Sequence, residues 1–75
     1  MTEEAAKFIG QYCKKEVPEL TEETTMAAEL GIDSLTFVRM VNDAEDVFDV
    51  TIRDEFLPKV KTVGDFLKLI EKVQN

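Results

Sequence analysis

Ser34 is the residue of this sequence that is best placed for chemistry. It follows Asp33 directly, where a glycine-containing loop gives way to an amphipathic helix. A hydroxyl at a helix start is exposed, and a group attached to it lies near free backbone N–H groups and the positive end of the helix dipole. These features favour Ser34 as the acceptor of a phosphate ester rather than as a nucleophile.

The sequence offers Ser34 no partner for catalysis. The chain has no histidine, and an ionised aspartate that caps a helix is too weak a base to deprotonate a hydroxyl at neutral pH. The single cysteine, Cys13, permits no internal disulfide, and without histidine a zinc site lacks ligands. We therefore predict no catalytic residues, no metal site and no enzymatic activity.

Size and charge limit the possible partners. The 75 residues carry nine basic and sixteen acidic side chains, a net charge of −7. The negative electrostatic field of this charge disfavours nucleic acid as a partner. It raises encounter rates with proteins that carry Lys/Arg patches. No apolar run approaches the roughly 20 residues of a membrane span, and the acidic N-terminus is unlike a signal peptide. We expect one domain over residues 1–75, cytoplasmic and monomeric.

Hydrophobic periodicity predicts an all-α fold whose first helix carries a single apolar stripe. The stripe is formed by Ala5, Phe8, Ile9, Tyr12 and Cys13. We expect this helix to end at Lys14-Lys15, because basic side chains are favourable at a helix C-terminus. The position of Cys13 on the stripe indicates a buried structural thiol.

A long loop from Glu16 to Asp33 is expected to be ordered, because a structureless loop of this length would be unusual in so small a domain. Four apolar residues are spaced to hold it against a core: Leu20, Met26, Ala27 and Leu30. Gly31 is expected to adopt a backbone conformation that other residues resist.

The second helix is predicted to begin at Ser34, with Asp33 as its N-cap, and to run to about Phe48. Its core-facing residues are Phe37, Met40, Val41, Ala44 and Phe48, with Val47 at the edge. Leu35 and Val38 fall off this stripe and should be at least partly exposed. Two exposed apolar side chains beside Ser34 suggest a contact surface.

Two more helices complete a predicted small four-helix bundle with a long first loop and a short third helix. Residues 50–52 are too few to pair as a strand and should form a connector. It leads into a helical turn from Arg53 to Leu57, closed by Pro58. The last helix opens at Thr62, where Asp65 gives a near match to a capping box. Its apolar residues are Val63, Phe66, Leu67, Ile70 and Val73.

Three segments together resemble the acyl carrier protein family. They are Leu30-Gly31-Ile32-Asp33-Ser34-Leu35, Glu45-Asp46-Val47-Phe48-Asp49-Val50 and Ile52-Arg53-Asp54-Glu55. The order of helix, long loop, motif serine, second helix, short third helix and final helix also follows the family. The resemblance therefore covers nearly the whole chain.

The resemblance implies that a phosphopantetheinyl transferase places a 4′-phosphopantetheine arm from coenzyme A on Ser34. The thiol of the arm would carry acyl groups as thioesters, in fatty acid, polyketide or related specialised biosynthesis. Asp33 and Leu35 would belong to the motif that the transferase recognises. The transferase would supply the base and the metal, and the chain would be a freestanding carrier.

In the family, the second helix is the main face for partner enzymes with basic docking patches. The corresponding residues on this helix are Val38, Arg39, Asn42, Glu45 and Asp46, and Asp54 and Glu55 follow after the connector. Arg39 stands where the family often has an acidic residue, and Asn42 where an apolar one is common. Because a positive charge weakens attraction to a basic patch, we hypothesise a partner set different from that of a housekeeping fatty acid synthase.

Family members also sequester the acyl chain inside the bundle. The residues that the resemblance implies for this pocket are Phe37, Val41, Ala44 and Ile52. Ala44 occupies a position where a larger aliphatic residue is usual. We predict a cavity accessible to an acyl chain.

Two other functions fit the same residues. A peptidyl carrier of nonribosomal peptide synthesis would share the fold and the arm, although the acidity and the Gly-x-Asp-Ser-Leu form favour an acyl carrier. An unmodified helical adaptor could bind a protein through Leu35 and Val38. Ser34 taken alone favours a structural role, since serine commonly satisfies backbone groups in a first helical turn.

Overall fold

The computed structural model of the protein describes residues 2–74. Its first helix, α1, spans Glu3–Gly10. Thr2 caps it, and its side-chain oxygen accepts a hydrogen bond from the Ala5 N–H. The helix ends earlier than Lys14-Lys15, so that prediction is wrong. The N–H groups of both lysines bond to the Leu30 carbonyl, at 2.8 and 3.2 Å, and these bonds draw the backbone away from the helix.

The loop after α1 is held by hydrogen bonds and by apolar contacts. The Met26 N–H bonds to the Lys61 carbonyl at 3.0 Å, and Met26 and Leu30 are buried. Leu20 is half-buried, but Ala27 is exposed, contrary to the prediction that it holds the loop to the core. Gly31 has a φ of 69°, which confirms the backbone conformation expected of it.

The second helix, α2 (Ser34–Val47), begins and ends close to the predicted positions, with Asp33 as N-cap and Phe48 as C-cap. Its buried residues are Met40, Val41 and Ala44. Leu35 is 77% exposed and Val38 47% exposed, as predicted. Val47, placed at the edge of the stripe, is also exposed.

The connector after α2 is anchored by Glu45. Its Oε2 accepts a hydrogen bond from the Ile52 N–H at 2.9 Å, and its carbonyl accepts one from the Val50 N–H. The Ile52 side chain is buried in the core. The connector forms no strand, as predicted, and the β-contact found in residues 2–74 is an isolated bridge between Thr25 and Thr62.

The short third helix is a 3₁₀ helix (Asp54–Lys59), and it continues through Pro58 instead of closing there. The predicted end at Leu57 is therefore too early. A proline lacks only its own N–H, and the Val60 N–H bonds to the Leu57 carbonyl across it at 3.1 Å.

The last helix, α3 (Val63–Val73), carries the complete capping box that the sequence predicted. The Thr62 side chain accepts from the Asp65 N–H, and the Asp65 carboxylate accepts from the Thr62 N–H, each at 3.1 Å. Leu67 is half-buried, whereas Leu69, left out of the predicted stripe, is buried. The described helices pack as a small all-α bundle.

An aromatic cluster joins the helices at the centre of the core. The ring of Phe8 lies 5.3 Å from that of Tyr12, 5.4 Å from that of Phe48 and 6.4 Å from that of Phe66, between ring centroids. Phe66 is fully buried. The cluster therefore links α1 and α3 to the C-cap of α2.

The tyrosine of this cluster gives a testable pH dependence. The Tyr12 hydroxyl donates to Asp43 Oδ2 at 2.5 Å, and burial, with this bond, raises the pKa of Tyr12 to about 12. Tyr12 is the single tyrosine of the chain, so the absorbance of tyrosinate reports its titration directly. We expect ionisation near pH 12 rather than 10, and a lower midpoint in Asp43→Asn.

The same bond links α1 to α2, so Tyr12→Phe should lower the free energy of unfolding at neutral pH by about 1 kcal/mol. Because the fold favours the neutral phenol, this contribution is present below pH 10 and is lost as the pH rises toward 12. Urea unfolding at pH 7 of both proteins measures the difference. A wild-type tyrosine that ionises at its ordinary pKa would contradict the assignment.

Candidate functional site

Ser34 lies at the start of α2, where the cap leaves its hydroxyl accessible. It is the first residue of the helix, it is exposed, and it is the only serine of the chain. Asp33 performs the capping, since its Oδ1 accepts the Thr36 N–H at 2.8 Å. The Ser34 hydroxyl is therefore not needed to satisfy the helix end.

The other oxygen of Asp33 contacts Lys14. Lys14 Nζ lies 2.8 Å from Asp33 Oδ2, in an ion pair whose side chains are both more than half exposed. The Lys14 contact and the Thr36 bonds hold the pKa of the Asp33 carboxyl well below its usual range. Asp33 is consequently ionised at neutral pH and is unsuited to remove a proton from Ser34.

Two consecutive lysines hold the segment that precedes Ser34. In addition to the backbone bonds to Leu30, Lys15 Nζ lies 3.4 Å from the Ala28 carbonyl. A Cβ at Gly31 would come within 3.2 Å of the Lys15 side chain. The sequence interpretation treated these lysines as a helix end and missed this role, because no spacing rule joins residues so far apart.

A cleft of about 430 Å³ opens beside Ser34, between the loop, α2 and the 3₁₀ helix. Ser34 and Asp33 border it, together with mainly apolar side chains. These include Met26, Ile32, Phe37, Leu57 and Val60. A chain attached to Ser34 would have an apolar surface within reach.

The residues predicted for an acyl pocket divide into two groups. Phe37 borders the cleft, whereas Val41, Ala44 and Ile52 are buried in the core and are not part of its wall. The 3₁₀ helix contributes Leu57 instead, which sequence reasoning missed because its position opposite α2 depends on the connector. An acyl chain in contact with the three core residues stays a prediction.

The residues predicted to bind partners lie on α2 and the 3₁₀ helix. Those with exposed side chains are Leu35, Val38, Arg39, Asn42, Asp46, Asp54 and Glu55. Glu45 is only half-exposed and is engaged with Ile52, as described above. Glu55 forms an ion pair with Arg53, with 3.0 Å between Oε1 and Nε. The exposed set is thus mixed in charge rather than uniformly acidic.

Cys13 was predicted to be buried, and the structure leaves it only half-buried. Its thiol lies 3.4 Å from the Ile9 carbonyl, and burial raises its pKa. A thiol with a raised pKa is a poor nucleophile at neutral pH, in agreement with a structural role.

Across residues 2–74, no three His, Cys, Asp or Glu side chains are grouped to hold a metal ion. Within residues 2–74, none of the helices combines the length and the hydropathy that a membrane span requires.

Comparison with known proteins identifies the family. The family model for the phosphopantetheine attachment site matches residues 5–70. An acyl carrier protein of a strain of Exiguobacterium is 49% identical over 63 residues, which cover 84% of this chain and 80% of that protein. The chain belongs to the acyl carrier protein family. An acyl carrier protein homolog of Mycoplasmopsis pulmonis is 44% identical over 87% of this chain and 88% of its own length.

A solved structure of a candidate acyl carrier protein from Mycobacterium tuberculosis has the same fold. It superposes with a TM-score of 0.82 over 93% of each chain, at 26% sequence identity. Membership of the family makes 4′-phosphopantetheine the cofactor of this acyl carrier protein. It also implies interaction with phosphopantetheinyl transferases and acyl-processing enzymes. Acyl carrier proteins hold substrates for such enzymes and are not themselves catalysts.

Proposed function

We propose that this protein carries acyl groups as thioesters on a 4′-phosphopantetheine arm attached to Ser34, in fatty acid, polyketide or a related specialised biosynthesis. The observation that carries the proposal is the exposed hydroxyl of the only serine, at the first residue of α2 and at the border of the cleft. The residues fit the cofactor, because the hydroxyl is free of capping and the adjoining cleft is mainly apolar.

The protein's own part in arm attachment is to present Ser34 Oγ. This oxygen would form the bond to phosphorus, the nucleotide part of coenzyme A would leave, and the hydroxyl proton would pass to a base on the transferase. Asp33, held ionised by Lys14, would orient the helix start and offer a carboxylate to the transferase, with Leu35 exposed next to the hydroxyl. The thiol of the bound arm supplies the thioester chemistry.

The chain would therefore act as a carrier without catalytic activity of its own. We propose that it works as a single domain, in the cytoplasm and as a monomer. The absence of histidine supports the lack of catalytic activity, because no neutral-pH base stands beside Ser34. The single apolar core that all the described helices share supports the single domain.

Arm attachment can be tested by incubating the protein with coenzyme A and a promiscuous phosphopantetheinyl transferase. Intact-mass spectrometry should detect one added arm per chain. A protein that stays unmodified under conditions in which a known carrier is converted would favour the helical adaptor, whose surface would include Leu35 and Val38. Conversion followed by loading from aminoacyl-activating enzymes alone would favour a peptidyl carrier.

The exposed face of α2 and the 3₁₀ helix is the proposed docking surface for partner enzymes with basic patches. Arg39 lies on it among Val38, Asn42 and Asp46 and is exposed. A cation there repels a basic patch. We therefore propose that Arg39 selects partners other than those of a housekeeping fatty acid synthase.

Arg39→Glu should raise transfer by fatty-acid-type enzymes. Exposed charge pairs contribute about 0.2–1 kcal/mol each, and the exchange both removes a repulsion and adds an attraction. The kcat/KM with the loaded carrier should therefore increase by roughly two- to thirtyfold at low salt and less at high salt. The control variant is Lys68→Glu. Lys68 is exposed on α3, so this exchange makes the same change of charge away from α2. Equal rates for the two variants would remove Arg39 from the selection of partners.

A further inference from the structure

The cleft beside Ser34 contains an uncompensated positive charge. Two charged residues border the cleft, Asp33 and Lys61. The carboxylate of Asp33 is already engaged on both oxygens, by Lys14 Nζ and by the Thr36 N–H, each at 2.8 Å. The Lys61 side chain is exposed and forms no ion pair or hydrogen bond with any residue of the range 2–74.

The backbone of Lys61 is fixed at this position. Its carbonyl accepts the Met26 N–H, and its N–H donates to Asp65 Oδ2, both at 3.0 Å. These bonds tie it to the loop on one side and to the capping box of α3 on the other. The ammonium group is then carried on a flexible four-carbon stem from a fixed point on the cleft wall.

The surroundings make this lysine unusual in the chain. The protein carries a net charge of −7, and its acidic side chains outnumber the basic ones, yet none except the engaged Asp33 borders the cleft. The rest of the wall is mainly apolar. An anion in the cleft would meet one cation and no free carboxylate.

We propose that Lys61 makes this cleft a binding site for an anionic group of the loaded arm. The proposal rests on the proposed function, because the anion reaches the cleft through Ser34. Two groups have this chemistry: the phosphodiester that links the arm to the serine, and a terminal carboxylate of a dicarboxylic acyl group. The second would make the carrier selective for carboxylated cargo.

The test compares the wild-type protein with Lys61→Met and Lys59→Met. Lys59 is exposed, lies two residues earlier and does not border the cleft, so its variant is matched in substitution and in charge. Each protein is prepared in four forms: without the arm, with the free arm, with a hexanoyl arm and with an adipoyl arm of equal length. A promiscuous transferase loads each arm from the corresponding coenzyme A derivative, and the melting temperature is measured at low salt.

If Lys61 binds a cargo carboxylate, the adipoyl form should melt above the hexanoyl form by about 1–8 °C, as expected for one exposed ion pair. This difference should persist in Lys59→Met and vanish in Lys61→Met. If Lys61 binds the phosphodiester, attaching the free arm should raise the melting temperatures of the wild-type protein and Lys59→Met by similar amounts. The melting temperature of Lys61→Met should rise less, whatever the cargo.

The proposal is overturned if the two lysine variants respond alike in all four forms. Mass spectrometry of every sample separates this outcome from failure of the proposed function, in which no protein would gain an arm. Because Lys61 contacts its neighbours through backbone atoms, the methionine variant should fold, and its unmodified form provides the baseline.

Discussion

Ser34→Ala is expected to abolish attachment of the phosphopantetheine arm completely and to leave the fold intact. The loss should be complete because no other serine is present. The fold should persist because Asp33 caps α2 and the Ser34 side chain is exposed. The free energy of unfolding should therefore change by no more than about 0.5 kcal/mol. Intact-mass spectrometry after transferase treatment and urea unfolding measure the two expectations.

Thr36→Ala is the matched control for this variant. It removes the nearest other hydroxyl of α2, while its backbone N–H still bonds to Asp33. This control should accept the arm as the wild-type protein does. An arm detected on Ser34→Ala would mean that a different side chain is the acceptor, and the proposed function would then need another site.

Phe66→Ala is expected to have the largest effect on stability. Phe66 is fully buried on α3 and its ring stacks near that of Phe8. Removing a buried phenylalanine ring costs about 3–5 kcal/mol, including the cavity that remains. A domain of this size has a total stability of roughly 4–11 kcal/mol, so most of the folding free energy would be lost.

The midpoint of urea unfolding should accordingly fall sharply, and a measurable unfolded fraction should be present without denaturant. Phe66→Leu, which keeps most of the volume, should lose clearly less. Leu35→Ala is the surface control, since Leu35 is 77% exposed and its removal should change stability by less than about 0.5 kcal/mol. A loss below 1 kcal/mol in Phe66→Ala would contradict the central role of the aromatic cluster.

The two helices whose starts were predicted correctly are those with local signals. Asp33 caps α2 three residues before Thr36, and Thr62 and Asp65 form the capping box of α3 across the same spacing. Capping of this kind depends on neighbouring residues only, so a sequence pattern can express it. The exposure of Ser34 was predicted for the same reason, because it follows from the place of this residue in the first turn.

The wrong predictions concern positions where a residue distant in sequence overrides the structure that the local pattern favours. The apolar stripe predicts that α1 continues to Lys14, but the Leu30 carbonyl binds the lysine N–H groups and the helix stops at Gly10. Ala27 was expected to hold the loop and is exposed, because Met26 and Leu30 provide the buried contacts. Neither result follows from periodicity, which describes one element at a time.

The sequence by itself determined the helical order, the caps of α2 and α3, the exposure of Ser34 and the family to which the chain belongs. Each of these rests on residue types at short spacing. Only the tertiary structure decided that Lys14 pairs with Asp33, 19 positions away, and that the cleft beside Ser34 is bordered by Leu57 and Lys61. These contacts form when the long loop and the 3₁₀ helix dock against α2, a step driven by burial of the shared core.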